Sequence, residues 1–159
     1  MSGKTFINHP GNSRFAVHDP GTPGDEEDDL VLDKDTGLIW ARNANLLGED
    51  VEAYDAVMET RNLDLGGRKG WRIPSVEELS SLLDMDEDSP ALPAGHPFVN
   101  VQFDPGEDMY YWTDITTNAA KYDFAFGVDM ADGDITDQLL DSIPNAYVWP
   151  VWGGKSPGF

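Results

Sequence analysis

The sequence predicts an α+β domain, two helices set among short antiparallel strands with long loops, and three observations carry that expectation. Residues 65–83, LGGRKGWRIPSVEELSSLL, place a Gly-Gly turn, an extended Trp-Arg-Ile-Pro segment and a capped amphipathic helix in one run. Residues 30–32 and 38–41 flank the polar turn Asp33-Lys34-Asp35-Thr36-Gly37, a hairpin signal. Prolines at 90, 93, 97 and 105 bar any long regular element between residues 84 and 105, so a long ordered loop is expected there.

In chain order, residues 14–17 alternate enough for a first strand. Residues 18–29, HDPGTPGDEEDD, have no means of burying themselves and read as a mobile acidic loop. Val51, Tyr54, Val57 and Met58 recur at helical spacing with acids at the entry, predicting a first helix over residues 49–62. Gly66 and Gly67 supply the positive φ of a tight turn, after which a strand is expected. Pro74 disfavours helix at Ile73, Ser75 accepts a first-turn amide, and Glu78 completes a capping box. The second helix therefore spans residues 75–83 and turns Val76, Leu79 and Leu83 inward. Trp71 reads as an aromatic core plug and Arg72 as a guanidinium that satisfies nearby carbonyls.

Leu92, Phe98, Val101 and Phe103 are the side chains that would staple the long loop. Strand-like segments follow at residues 110–113, 122–129 and 147–152, with Ala131-Asp132-Gly133-Asp134 as a turn into a polar return strand. The segments at 14–17 and 147–152 are expected in one sheet. The organisation is an N-terminal arm over residues 1–12, a single domain over 13–155 and a tail over 156–159.

Composition narrows the function. At 159 residues the chain supports one domain with a real core. Ten basic against 30 acidic residues give a net charge of −20, which repels phosphate backbones and anionic membrane surfaces, so no nucleic-acid partner is expected. Without cysteine there is no disulfide, thiolate metal site or cysteine nucleophile. No apolar run is long enough to span a membrane, and residues 1–15 lack the layout of a signal peptide. The expectation is an exported or cell-surface protein whose leader lies outside this numbering, with a cytoplasmic location left open.

The ordered series Asp33 to Trp40 (DKDTGLIW), Gly66-Gly67, Trp71-Arg72-Ile73-Pro74, Glu78-Leu79, Pro90 to Phe98, Tyr111-Trp112-Thr113 and Tyr147-Val148-Trp149 resembles a bacterial family of unknown function. That family is typified by the C-terminal domain of Legionella collagen-like adhesins. The resemblance spans most of the chain and implies a single C-type-lectin-like domain. Two departures stand out. Many members carry a cysteine in the first helix and another in the last strand, implying a disulfide, where this chain has residues 58–60 and Pro150. The last strand also reads Trp149-Pro150-Val151-Trp152 in place of a more charged pattern, and the two tryptophans are expected to pack rather than bind.

The resemblance implies a non-enzymatic binding module, adhesin-like or lectin-like, that recognises a glycan or protein ligand through its long-loop face. The candidate ligand-binding residues are Trp112, Asp114, Asp104, Asp108 and Tyr122, because a flat ring covers the apolar face of a sugar while a carboxylate accepts from its hydroxyls. Calcium is the one candidate cofactor. Asp84, Asp86 and Asp88 alternate as at the start of an EF-hand loop, though Ser89 and Gly95 stand where that loop needs glycine and glutamate. Asp129, Asp132 and Asp134 form a further acidic set. A calcium-stabilised interaction domain is the alternative reading. Enzymes related by fold depend on a cysteine pair, so a carboxylate-based hydrolase is the remaining catalytic alternative.

Overall fold

The structure, a computed structural model, describes residues 6–18, 29–113, 126–136 and 145–153. It is mostly β, with antiparallel sheets and two short helices. The largest sheet has five strands: β1 (Ile7–Asn8), β2 (Phe15–His18), β3 (Leu30–Asp33) and β4 (Ile39–Ala41) in sequence order, then β10 (Val151–Trp152) beside β4. The segments expected to share a sheet, at 14–17 and 147–152, do so through β2 and β10. Ile7–Asn8, within the expected N-terminal arm, also joins this sheet by pairing with β2. Residues 19–28 of the acidic loop lie outside the described residues. Its expected ends do not behave as loop: His18 pairs with Leu30, and buried Asp29 meets Arg42 at 2.8 Å.

The β3–β4 turn shows why its residues are Asp-x-x-Thr-Gly. The fully buried Asp33 carboxylate accepts from Arg14 Nε and Nη2 at 2.9 and 2.8 Å, from the Asp35 amide at 3.0 Å and from Thr36 Oγ1 at 3.1 Å. A buried charge is tolerable only when its lone pairs are filled in this way. Gly37, at φ 78°, then closes the turn by donating to Asp33 O at 2.7 Å.

Both helices are shorter than the sequence suggested. The first, α1 (Ala53–Arg61), follows β5 (Val51–Glu52), whose residues are claimed by pairing with β9 (Asn145–Ala146). Its buried face is Ala56 and Thr60, with Val51 and Val57 packed against the same cluster as Ala56, whereas Tyr54 is 73% exposed, so the apolar spacing at 51, 54, 57 and 58 marks the inner face only in part. Thr60 can sit inward because its hydroxyl donates to Ala56 O at 2.6 Å. The second, α2 (Val76–Ser80), has the expected capping box: the Glu78 amide donates to Ser75 Oγ at 3.0 Å and the Ser75 amide to Glu78 Oε1 at 2.9 Å. It stops early because Leu82 and Leu83 continue with amides bonded three residues back, to Leu79 and Ser80. Leu79 and Leu82 are fully buried, and Val76 and Leu83 pack against the same cluster.

Gly66 and Gly67 form the turn between Leu65 and Arg68, which exchange both backbone hydrogen bonds at 3.0 Å. Their φ values of 61° and 77° are those a two-residue primed turn requires, and a Cβ on Gly66 would lie 2.6 Å from Leu30 Cδ1. The strand expected after this turn reduces to a single bridge, Arg72 with Val151. Trp71 is buried as expected, its Nε1 donating to Arg68 O at 2.9 Å.

The remaining sheet comprises β6 (Tyr110–Trp112), β7 (Gly127–Asp129) and β8 (Ile135–Thr136). Residues 122–125 of the expected middle strand lie outside the described residues. The main core gathers around Trp149, whose ring lies 5.7 Å from Trp40, 4.8 Å from Phe98 and 5.5 Å from Tyr111. Trp149 Nε1 donates to Ala41 O at 3.0 Å, so this residue packs. Trp152 is half-buried, under the Arg68 guanidinium at 4.5 Å. Among the described residues, no helix is long and apolar enough to cross a membrane.

Candidate functional site

Residues 81–109 hold no strand or helix, and the long loop is pinned where it crosses the β7–β8 turn. The Ser89 amide donates to Ala131 O and the Ala91 amide to Met130 O, both at 2.7 Å. The Asp84 amide donates to Ala91 O at 2.8 Å, closing residues 84–91 on themselves. Below, Leu92 and Phe98 are buried, with Val101 and Phe103 against them, so the staple expected from the sequence is present. Rigid backbone and a filled underside fix what the loop presents above.

What it presents is Met85. This side chain is 69% exposed, yet it leans on the β7–β8 turn at a point only glycine allows: a Cβ on Gly133, at φ 81°, would lie 2.8 Å from Met85 Sδ and 3.3 Å from Leu83 Cδ1. Met85, Asp132, Gly133, Asp134 and Ile135 line an open concavity of about 400 Å³. Ile135 is itself 47% exposed.

Two carboxylates share the concavity with Met85 and Ile135. Asp132 and Asp134 stand on the turn, where Asp132 Oδ1 also accepts the Asp134 amide at 2.9 Å. Burial pushes the Tyr110 hydroxyl above its ordinary pKa, and Asp108, Asp134, Asp129 and Asp132 push it further. The Asp129 carboxyl is raised by burial, with Asp132 and Asp108 adding to the rise against the lowering hydrogen bonds of the Ala131 and Met109 amides. Among the described residues the paired arginines are engaged elsewhere, Arg14 with Asp33, Arg42 with Asp29 and Arg72 with Glu78, and no salt bridge reaches these four aspartates. The result is a negative apolar concavity.

The sequence-predicted residues fall differently. Trp112 is fully buried and donates from Nε1 to Val51 O at 2.8 Å, so it belongs to the core beneath the sheet and cannot offer a ring to a surface ligand. Asp114 and Tyr122 lie outside the described residues. Asp108 is exposed and adds to the rise at Tyr110, whereas half-buried Asp104 accepts the Gly106 amide at 2.8 Å and caps its own turn. Asp84 likewise accepts the Asp86 amide, at 3.0 Å, while Asp86 and Asp88 are exposed. Among the described residues no three acids or histidines converge so as to hold a metal ion, and this includes the set Asp84, Asp86 and Asp88.

Met85 and Ile135 are the residues sequence reasoning missed. Met85 is the one apolar residue in Asp84-Met85-Asp86-Glu87-Asp88, and a lone apolar residue in an acidic run is a signal that could have marked it. Ile135 carried no such signal.

The Lcl C-terminal domain family matches the chain over residues 29–152, and the chain belongs to that family. No curated protein and no solved structure matches it.

Proposed function

We propose that this member of the Lcl C-terminal domain family is a non-enzymatic binding module that recognises a protein or glycan ligand through its long-loop face. The observation that carries the reading is the exposure of Met85 and Ile135 on the lining of one open concavity whose loop and turn are tied together by backbone hydrogen bonds. Exposed apolar side chains on a fixed frame cost solubility and are offset when a partner covers them. An adhesin-like role accords with the family, and the acidic surface keeps nucleic acid out of the partner set.

The test is a glycan array and a peptide array probed with the parent protein and with Met85→Ser/Ile135→Ser. Both positions are exposed, so the variant is expected to keep its thermal midpoint. Ligands retained by the parent and lost by the variant support the reading. Ligands retained equally by both, or none retained by either, overturn it.

A further inference from the structure

The concavity between the 84–91 loop and the β7–β8 turn has a chemistry that selects among ligands. We infer that its occupant is a basic, amphipathic peptide segment of a partner protein, with an aliphatic side chain seated between Met85 and Ile135 and lysine or arginine side chains paired with Asp132 and Asp134. This rests on the binding reading and narrows it.

Three observations point to that partner. Met85 and Ile135 are apolar and exposed, and an unbranched thioether adapts to aliphatic side chains of several shapes. Asp132 and Asp134 rim the same concavity, buried Asp129 precedes them on β7 opposite Tyr110, Asp108 is exposed two residues before Tyr110, and none of the four is in a salt bridge with a described residue. A cationic partner supplies the missing charge, and the net charge of −20 steers it in from a distance. The competing ligands fit less well. Among the described residues no aromatic ring lines the concavity to stack on a sugar, Trp112 being buried. No three ligands converge for a metal ion among the described residues.

The experiment measures fluorescence anisotropy with three labelled nonapeptides built of Lys-Leu-Lys, Lys-Gly-Lys or Glu-Leu-Glu repeats, each with and without calcium chloride. The Lys-Leu-Lys peptide is expected to bind most tightly, and added salt to weaken it. Asp132→Asn/Asp134→Asn keeps the Asp132 acceptor of the turn and should weaken binding about tenfold. Glu52→Gln/Glu59→Gln, at β5 and α1, removes the same charge and should change it less than about twofold. Met85→Ser/Ile135→Ser should erase the preference for Leu over Gly.

Equal losses from the two charge-removing pairs would mean diffuse attraction of a polycation and overturn the inference. So would a preference for the Glu-Leu-Glu peptide, or binding that appears only with calcium. If the array ligands depend on Met85 and Ile135 but the Lys-Leu-Lys peptide does not bind, the binding face stands and the basic partner falls. If array ligands and peptides all fail to bind, both readings fall.

Discussion

Arg72 and Glu78 meet in a two-pronged ion pair, each guanidinium nitrogen 2.7 Å from its own carboxylate oxygen. Glu78 Oε1 also accepts the Ser75 amide, and Arg72 Nη2 also reaches Gly153 O at 2.8 Å. The pair thus locks the start of α2 to the end of β10. Two separate motifs in the sequence, Trp-Arg-Ile-Pro and the capping box, are one structural device.

Glu78→Ala removes a helix cap and a charge-assisted pair together, and is expected to cost about 2–4 kcal/mol in chemical denaturation at neutral pH. Burial alone would raise the Glu78 carboxyl, but the hydrogen bonds from Arg72 and the Ser75 amide outweigh it and hold the pKa below the ordinary 4.5. A carboxylate with a depressed folded pKa contributes fully above its unfolded value and loses that contribution as pH falls through the folded one. The parent and Glu78→Ala curves should therefore converge in acid below about pH 4. A gap that stays constant from pH 7 to pH 3 would show that the ion pair adds nothing.

Trp71→Ala is expected to destabilise the fold by about 3–5 kcal/mol, since the ring is buried with Leu30, Ile39, Ala41 and Leu65. The indole also holds the Arg68 carbonyl of the Gly-Gly turn. An unchanged thermal midpoint would place Trp71 outside the core.

Features whose cause is local were legible in the sequence. The capping box at Ser75 and the hairpin at Asp33 each depend on neighbours within a few residues, and each is present. Features decided by distant partners were not. Val51 and Glu52 have helical spacing with the residues after them, but they form β5 because Asn145 and Ala146 offer a ladder. Trp112 near an acid looks like a sugar platform until Val51 O, 61 residues away, accepts a hydrogen bond from its buried indole N–H. The concavity was illegible for the same reason, because Met85 and Ile135 are brought together by the hydrogen bonds of Ser89 and Ala91 to the turn.

His96 gives a pH dependence of its own. Its Nδ1 accepts the Phe98 amide at 3.1 Å, and burial, then the neighbouring His9, lower its pKa from the ordinary 6.5. The unfolded chain therefore takes up this proton more readily than the folded one, and stability falls as pH drops from about 7 toward 5. His96→Asn keeps an acceptor two residues before the Phe98 amide but no titrating group. Its midpoint should vary less than the parent's across that window, and parallel curves would discard the assignment.

Asp129 works in the opposite direction. Its carboxyl pKa is raised, so the folded protein holds this proton more tightly than the unfolded chain, and the charged form is a cost at neutral pH that protonation relieves. Its Oδ1 accepts the Ala131 amide at 2.8 Å, an interaction an asparagine retains. Asp129→Asn should therefore raise the thermal midpoint at pH 7 and leave it unchanged near pH 3, where the parent's carboxyl is already protonated. Asp108→Asn, at an exposed position, should bring the Asp129 titration down toward the ordinary carboxylate range when followed by NMR. A lower midpoint for Asp129→Asn at pH 7 would mean that the hydrogen bonds the carboxylate accepts outweigh the cost of burying its charge.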